Sequence, residues 1–314
     1  MSIADGILIR GCAMAISFTE LLTVLYVLVD DWYQSDGIRL RDRTAGAKPD
    51  FTDSEMLTLM LAVDLLEFTS ERRFRAFIQA NYMRLFPQRL SQGQFNRRAR
   101  ALRFLLDALR QAWASQLGIQ FERHFLLDTT PVPALGYRRD KTHSQFYGSA
   151  AYGYCAARRL KYFGYKLVLL TSLDGIPYRF EIVPANTDER VAADEILDHL
   201  PAGADVWSDK GFIGADWQAA WRAAGVHLWS AKRENQHAQN AAAFDRLLNS
   251  VRERIETTYD QLKEGGRSVE HSLAKTVDGL CARVATKIAS LTMRRFLKQF
   301  FGIDVLTYTV NRVE

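Results

Sequence analysis

The sequence predicts an α/β fold, a mixed five-stranded sheet with flanking helices, preceded by an all-helical N-terminal region. Three observations predict it. The first 118 residues carry helical periodicity and helix-start signals. From about Ile119, short apolar runs bounded by turn residues replace that pattern. Three such runs follow one another, and then helix, strand, helix, strand and helix alternate.

From Phe18 the chain reads as a helix with Leu21, Leu22, Leu25, Leu28 and Val29 on one face. The stretch Gly11 to Val29 is long enough to span a bilayer, but Glu20 stands in its middle, where an acid is costly. A helix outside the membrane is therefore expected. The residues before it have no clear pattern, and Met14 is a candidate start. Gly37 to Pro49 is polar and arginine-rich, as in a loop. Thr52-Asp53-Ser54-Glu55 has the form of a capping box and opens an apolar helix. Ser91 to Gln94 repeats the signal, and one helix is expected from Gln92 to Gln116, with Phe95, Leu102, Leu106, Leu109 and Trp113 on one side.

His124 to Asp128 is an apolar run ending in an acid and then prolines, so the first strand is expected to stop at Asp128. Tyr165 to Leu173 and Tyr178 to Val183 form a hairpin around Asp174-Gly175. A helix over Thr187 to Leu200, capped by Asp188 or Thr187, precedes a fourth strand over Asp205 to Ser208. A helix over Ala215 to Ala224 and a fifth strand over Val226 to Ser230 follow. Phe244 to Glu264 is helical, closed by Gly265-Gly266, and a last helical region runs from Ser272 to Phe300. The expected organisation is a helical region over 1–118 and a catalytic domain over 119–314 with a helical tail.

Charge narrows the function. The chain carries +5 overall, yet Thr69 to Gly118 holds ten Arg against two acids, and Gly136 to Lys166 holds seven cations against one. Two concentrated basic segments point to a polyanionic partner. The three cysteines lie far apart without CxxC pairing, which argues against disulfides and zinc and fits a reducing cytosol. His143 and Cys155 are given no metal role.

The element order is that of a ribonuclease-H-like domain, in which the ends of the first and fourth strands lie side by side. Asp128 ends the first, Asp209 the fourth, and Glu256 lies on the helix after the fifth. Singly, each acid has a commoner explanation, as turn former, cap or solvated surface. Together they sit where two magnesium ions would need hard oxygen ligands for phosphodiester chemistry, with manganese able to substitute.

The residues Leu127-Asp128-Thr129-Thr130-Pro131, Asp209-Lys210-Gly211-Phe212 and Arg254-Ile255-Glu256-Thr257 resemble insertion-sequence transposases. The nearest resemblance is to insertion-sequence family 982, related to the insertion-sequence 4 group. The likeness runs from about Phe18 to Leu297 and includes Ser91 to Arg98, Tyr152-Gly153-Tyr154-Cys155 and Pro184-Ala185-Asn186. It implies hydrolysis at transposon ends, joining of the freed 3′-hydroxyls to target DNA, and magnesium as cofactor. The group's Tyr-Arg-Glu-Lys signature is matched by Arg252, Glu256 and Lys263, whereas Asn249 stands at the tyrosine position. The resemblance gives Arg252 and Lys263 terminal phosphates of the transposon end.

Lys210, Arg138 and Arg139 are further candidate DNA contacts. The segment around the last two interleaves seven cations with eight aromatics, which suits stacking on bases. Its aromatics could equally pack on the sheet. Arg97 and Arg98 are candidate contacts of a recognition helix. The expected partner is double-stranded DNA, both ends and target, bound by at least a homodimer in a bacterial cytoplasm. A nuclease that cuts without joining, or a silent DNA-binding descendant, are the alternatives.

Overall fold

The computed structural model describes residues 16–41, 49–230 and 240–305. Met14 and Cys12 lie outside them. Two compact units divide the chain, one from Met1–Trp113 with Lys263–Glu314 and one from Ala114–Leu262. The C-terminal helix is therefore part of the helical unit, where a tail of the sheet domain was expected.

The helical unit contains α1 (Phe18–Ser35), α2 (Asp53–Ala62), α3 (Glu71–Asn81), α4 (Gln92–Ala101), most of α5 (Arg103–Gln116) and α9 (Val277–Phe301). Capping boxes start three of them. Ser17 and Glu20 satisfy each other's backbone amides at α1, as do Thr52 and Glu55 at α2 and Ser91 and Gln94 at α4. Glu20 is thus a helix-start acid. Among the described residues no helix is long and apolar enough to cross a membrane.

Every residue of α2 is buried, including Asp53 and Glu55. A helix apolar nearly all round must be enclosed by others, and α2 packs against α1, α4 and α9. Trp113 stacks on Phe296 of α9 with ring centroids 5.4 Å apart, which explains why α9 joins this unit. The single helix expected over 92–116 is broken at Leu102, whose backbone (φ −91°, ψ 2°) leaves the helical region while its side chain stays buried.

The second unit holds β1 (His124–Leu135), β2 (Ala151–Cys155), β3 (Leu160–Ser172), β4 (Pro177–Pro184), α6 (Glu189–Leu197), β5 (Ala204–Ser208), α7 (Ala215–Ala223), β6 (Val226–Ser230) and α8 (Ala242–Lys263). The sheet runs β2–β3–β1–β5–β6, with β4 on the same side of β3 as β2. β1, β3 and β4 are antiparallel, while β1, β5 and β6 are parallel. Apart from β2 this is the ribonuclease-H-like order.

Two expectations are corrected. β2 occupies a segment for which no strand was expected, pairing Ala151–Cys155 with Gly164–Leu160. Gly153 permits this, because a Cβ there would lie 2.7 Å from the Ala185 side chain and 2.8 Å from Tyr162. Also, β1 does not stop at Asp128. It continues through Pro131 and Pro133 to Leu135, paired with β3. The prolines are tolerated because β5 flanks β1 only over His124–Leu127. Beyond that point one side of β1 has no ladder partner among the described residues, so an edge position opens where a missing N–H costs nothing.

The two sheet faces bury different helices. Phe125, Leu127, Val168, Leu170 and Val206 form one core with Ala192, Ala193, Ile196 and Leu197 of α6. On the other face Trp207 and Trp229 meet Phe244 of α8, at ring distances of 6.0 and 5.5 Å. The buried stripe of α8 continues through Leu248, Val251, Tyr259 and Leu262.

Candidate active site

The site follows from strand register. Leu127 pairs in parallel with Ser208, so Asp128 and Asp209 are the next residue on each of two neighbouring strands. Strand alternation puts both acids on the face of Leu126 and Trp207, the face that α8 covers. Both stand where β5 ends and β1 runs on, and the crevice outside the carboxyl ends of parallel strands is where α/β sheets place their ligands.

Each acid also has a local backbone task. Asp128 Oδ1 accepts the Thr129 amide at 2.7 Å. That amide comes just after β5 leaves the ladder. Asp209 Oδ1 accepts the Lys210 amide at 2.5 Å and caps the turn over Lys210–Phe212. Both are half-buried.

Helix α8 is held to this crevice by Tyr259, whose hydroxyl donates to the Asp128 carbonyl at 2.5 Å. Glu256 lies one turn earlier on α8 and is exposed. Burial pushes the Tyr259 phenol well above its ordinary value of 10.0, with the charges of Asp128 and Glu189 adding to the rise. A raised folded-state value means the folded chain keeps a proton that the unfolded chain releases. The associated stability is complete below pH 10 and is lost as pH rises above it, by about 1.4 kcal/mol per pH unit for each such group. Tyr162, raised to about 12 mainly by burial, contributes in the same way. Urea unfolding between pH 7 and 11 should show Tyr259→Phe less stable by about 0.5–1.5 kcal/mol at neutral pH, for the lost hydrogen bond. Its alkaline decline should be shallower by one proton. An unchanged alkaline slope would show that this phenol is solvated.

A fourth acid, Glu189, joins the neighbourhood from α6. Its Oε1 accepts the Thr129 hydroxyl at 2.8 Å and lies 3.9 Å from Lys166 Nζ. Its Oε2 sits so close over Gly211 that a Cβ there would be 1.9 Å away. Gly211, two residues after Asp209, is thus the gap through which Glu189 reaches the loop. Glu189 also opens α6 beside the Asp188 cap, and it was assigned no place at the site from the sequence.

The predicted DNA contacts fall into different settings. Lys210, Arg138, Arg139 and Arg97 are exposed. Lys263 ends α8 and is half-buried, and the Arg252 side chain lies outside the described residues. Arg98 is committed internally. Its guanidinium donates to Asp53 at 2.6 Å and to the Phe51 carbonyl, and lies 5.6 Å from the Phe51 ring centroid. It therefore ties α4 to the start of α2.

The basic aromatic segment is divided. Phe146, Tyr162, Phe163 and Tyr165 are buried, whereas Tyr137, Tyr147, Tyr152 and Tyr154 are exposed. Lys141 is an internal staple, donating to the carbonyls of Tyr137 and Arg139 and lying 5.2 Å from the Tyr152 ring. Arg138, Arg139 and Tyr147 remain around an open groove of about 940 Å³.

A sheet of this strand order, with Asp128 and Asp209 in neighbouring register on two adjacent parallel strands, is the arrangement expected above for phosphodiester chemistry. Residues 119–293, more than half the chain, match the transposase DDE domain family, and the chain belongs to that family. No curated protein matches the sequence. Among solved structures, it is similar to the piggyBac transposase synaptic complex with hairpin DNA, at 11% identity over 90% of this chain and 74% of that one, with a TM-score of 0.47. The Mos1 strand transfer complex shows 10% identity over 86% and 85% of the two chains, with a TM-score of 0.20.

The carboxylates suit a hard divalent cation, which takes oxygen donors. Among the described residues, however, no three His, Cys, Asp or Glu side chains converge closely enough to close a cation site. Asp128 and Asp209 are neighbours by strand register, and Glu256 lies on the helix that Tyr259 ties to β1.

Proposed function

We propose that this chain is the transposase of a bacterial insertion sequence akin to family 982, cutting transposon ends and joining them to target DNA. The observation that carries this reading is the register of β1 and β5, which sets Asp128 beside Asp209 on the face that α8 covers. Glu256, one turn of α8 from the anchored Tyr259, would be the third ligand. Two magnesium ions, or manganese in their place, would supply an activated water and charge stabilisation at the leaving oxygen.

The protein's own groups do the remaining work. Lys210, exposed next to Asp209, offers a cation to the DNA backbone at the crevice. Arg138 and Arg139 flank the open groove with exposed tyrosines, a combination suited to an unpaired strand. The Tyr259 hydroxyl fixes the distance between α8 and β1, and buried as it is, it stays protonated. Arg252 and Lys263, on the same flank of α8 as Glu256 by helical spacing, hold terminal phosphates. Synapsis of two ends calls for a homodimer on DNA.

A strand-transfer assay tests this reading. The purified chain, magnesium, a pre-cleaved end with a free 3′-hydroxyl and supercoiled plasmid should give joined product. Cleavage of uncut ends without any joined product would make the protein a nuclease. Binding without either reaction would make it a silent descendant.

A further inference from the structure

The helical unit contains a cationic cavity to which the catalytic reading assigns no role. It has a volume of about 410 Å³ and lies between the start of α3, the side of α4 and the N-terminus of α9. Its lining includes Arg72, Arg100, Arg267, Lys275 and Arg283, against one acid, Glu71. We propose that this cavity is a binding site for a phosphate group.

Its charges are not balanced from within. Arg267 and Arg283 both approach the same Glu71 oxygen, at 3.4 and 3.2 Å, so two guanidiniums share one carboxylate. The Arg267 side chain is only 7% exposed, and its Nε has no hydrogen-bond partner. Glu71 is met by Nη2, while Nε lies 4.0 Å from Asp64. Burial holds the Arg283 guanidinium below its ordinary value, and the neighbouring Arg267 charge lowers it further. Guanidiniums in this state gain from an added anion, and their donors fit phosphate oxygens.

The α9 terminus adds to the field. This 25-residue helix begins at the cavity, where Thr276 caps the Gly279 amide at 3.1 Å. The first-turn amides ahead of Gly279 and the helix dipole both favour an anion there. Asp278, the acid of that turn, does not line the cavity. It is turned outward to Arg103 at 3.1 Å. The phosphate could belong to a DNA backbone or to a free phosphate compound. The site is independent of the catalytic crevice, which belongs to the other unit.

The test uses the full chain and the double variant Arg100→Gln/Lys275→Gln, which leaves the Arg267–Glu71–Arg283 group in place. Inorganic phosphate, compared with chloride at equal ionic strength, should raise the melting temperature of the wild type saturably. The variant should melt normally in chloride but need about tenfold more phosphate for the same rise. A random-sequence duplex then separates the sources. If DNA occupies the cavity, the salt dependence of duplex binding becomes shallower in the variant by about one for each lost contact. If the slope is unchanged while the phosphate response differs, the site takes a free phosphate. No phosphate-specific rise in the wild type, or an equal rise in the variant, overturns the site. Asp209→Asn should respond to phosphate like the wild type, so failure of the catalytic reading leaves this result standing.

Discussion

Asp209→Asn should lower both end cleavage and strand joining by about 10³-fold or more, with the fold unchanged. The substitution keeps the volume and the cap, since an amide oxygen can still accept the Lys210 amide that Asp209 Oδ1 accepts at 2.5 Å. Only the negative charge is removed. A bound divalent cation stabilises transition-state charge by several kcal/mol, and about 1.4 kcal/mol corresponds to tenfold in rate. Gel assays of cleavage at saturating magnesium, with thermal melting as a control for folding, give the comparison. Activity within tenfold of wild type would remove Asp209 from the metal site.

Asp64→Asn should cost about 3–5 kcal/mol of stability, because it removes the acid from a buried, mostly cationic cluster. The Asp64 side chain is 1% exposed, with Arg267 at 4.0 Å, and Arg294 donates to its carbonyl at 3.1 Å. Burial lowers the affinity of Lys287 and Arg294 for their protons, and the Asp64 charge opposes that effect at both. Without it, the Lys287 ammonium, held by the Glu264 carbonyl at 2.7 Å, faces mainly positive neighbours. Urea unfolding of the full chain at neutral pH should show the loss. The variant should recover part of it as pH rises toward 10.5, the ordinary lysine value. A lysine whose folded-state value is depressed binds fewer protons folded than unfolded, so stability rises with pH over that window. A cost below about 1 kcal/mol would mean that water or an ion reaches the cluster.

Much of the site was legible because strands and turns write themselves locally. Asp209 follows a short apolar run and precedes Lys210-Gly211, so its place at a strand end needed only period and turn chemistry. Asp128 was placed beside it for the right reason but with the wrong boundary, since Pro131 and Pro133 read as strand breakers. They are edge residues instead, which depends on where β5 stops and not on β1 itself. Glu189 was hidden by its second role, because an acid in the first turn of a helix already has a local explanation. A reading of Gly211 as a point of close approach could have prompted a search for such a residue. Tyr259 was hidden in the apolar stripe of α8, where a tyrosine reads as core until its hydroxyl finds the Asp128 carbonyl.

The basic segments show the same division. Charge density along the chain raises the expectation of a polyanionic partner, but it cannot separate Arg97, which is exposed, from Arg98, which is held by Asp53. Nor can it show that Lys141 staples its own loop while Arg138 and Arg139 stay outside.

By itself, the sequence determined the α/β class, the starts of α1, α2 and α4, the β3–β4 hairpin and the place of Asp209 after β5. Each of these rests on short-range rules of capping, turn geometry and periodicity. Only the tertiary structure decided that α9 belongs with the N-terminal helices, that Glu189 lies over Gly211, and that five cations line one cavity with a single acid. Those outcomes rest on pairings between residues as much as two hundred positions apart, set by which apolar faces find each other. No local pattern carries that information.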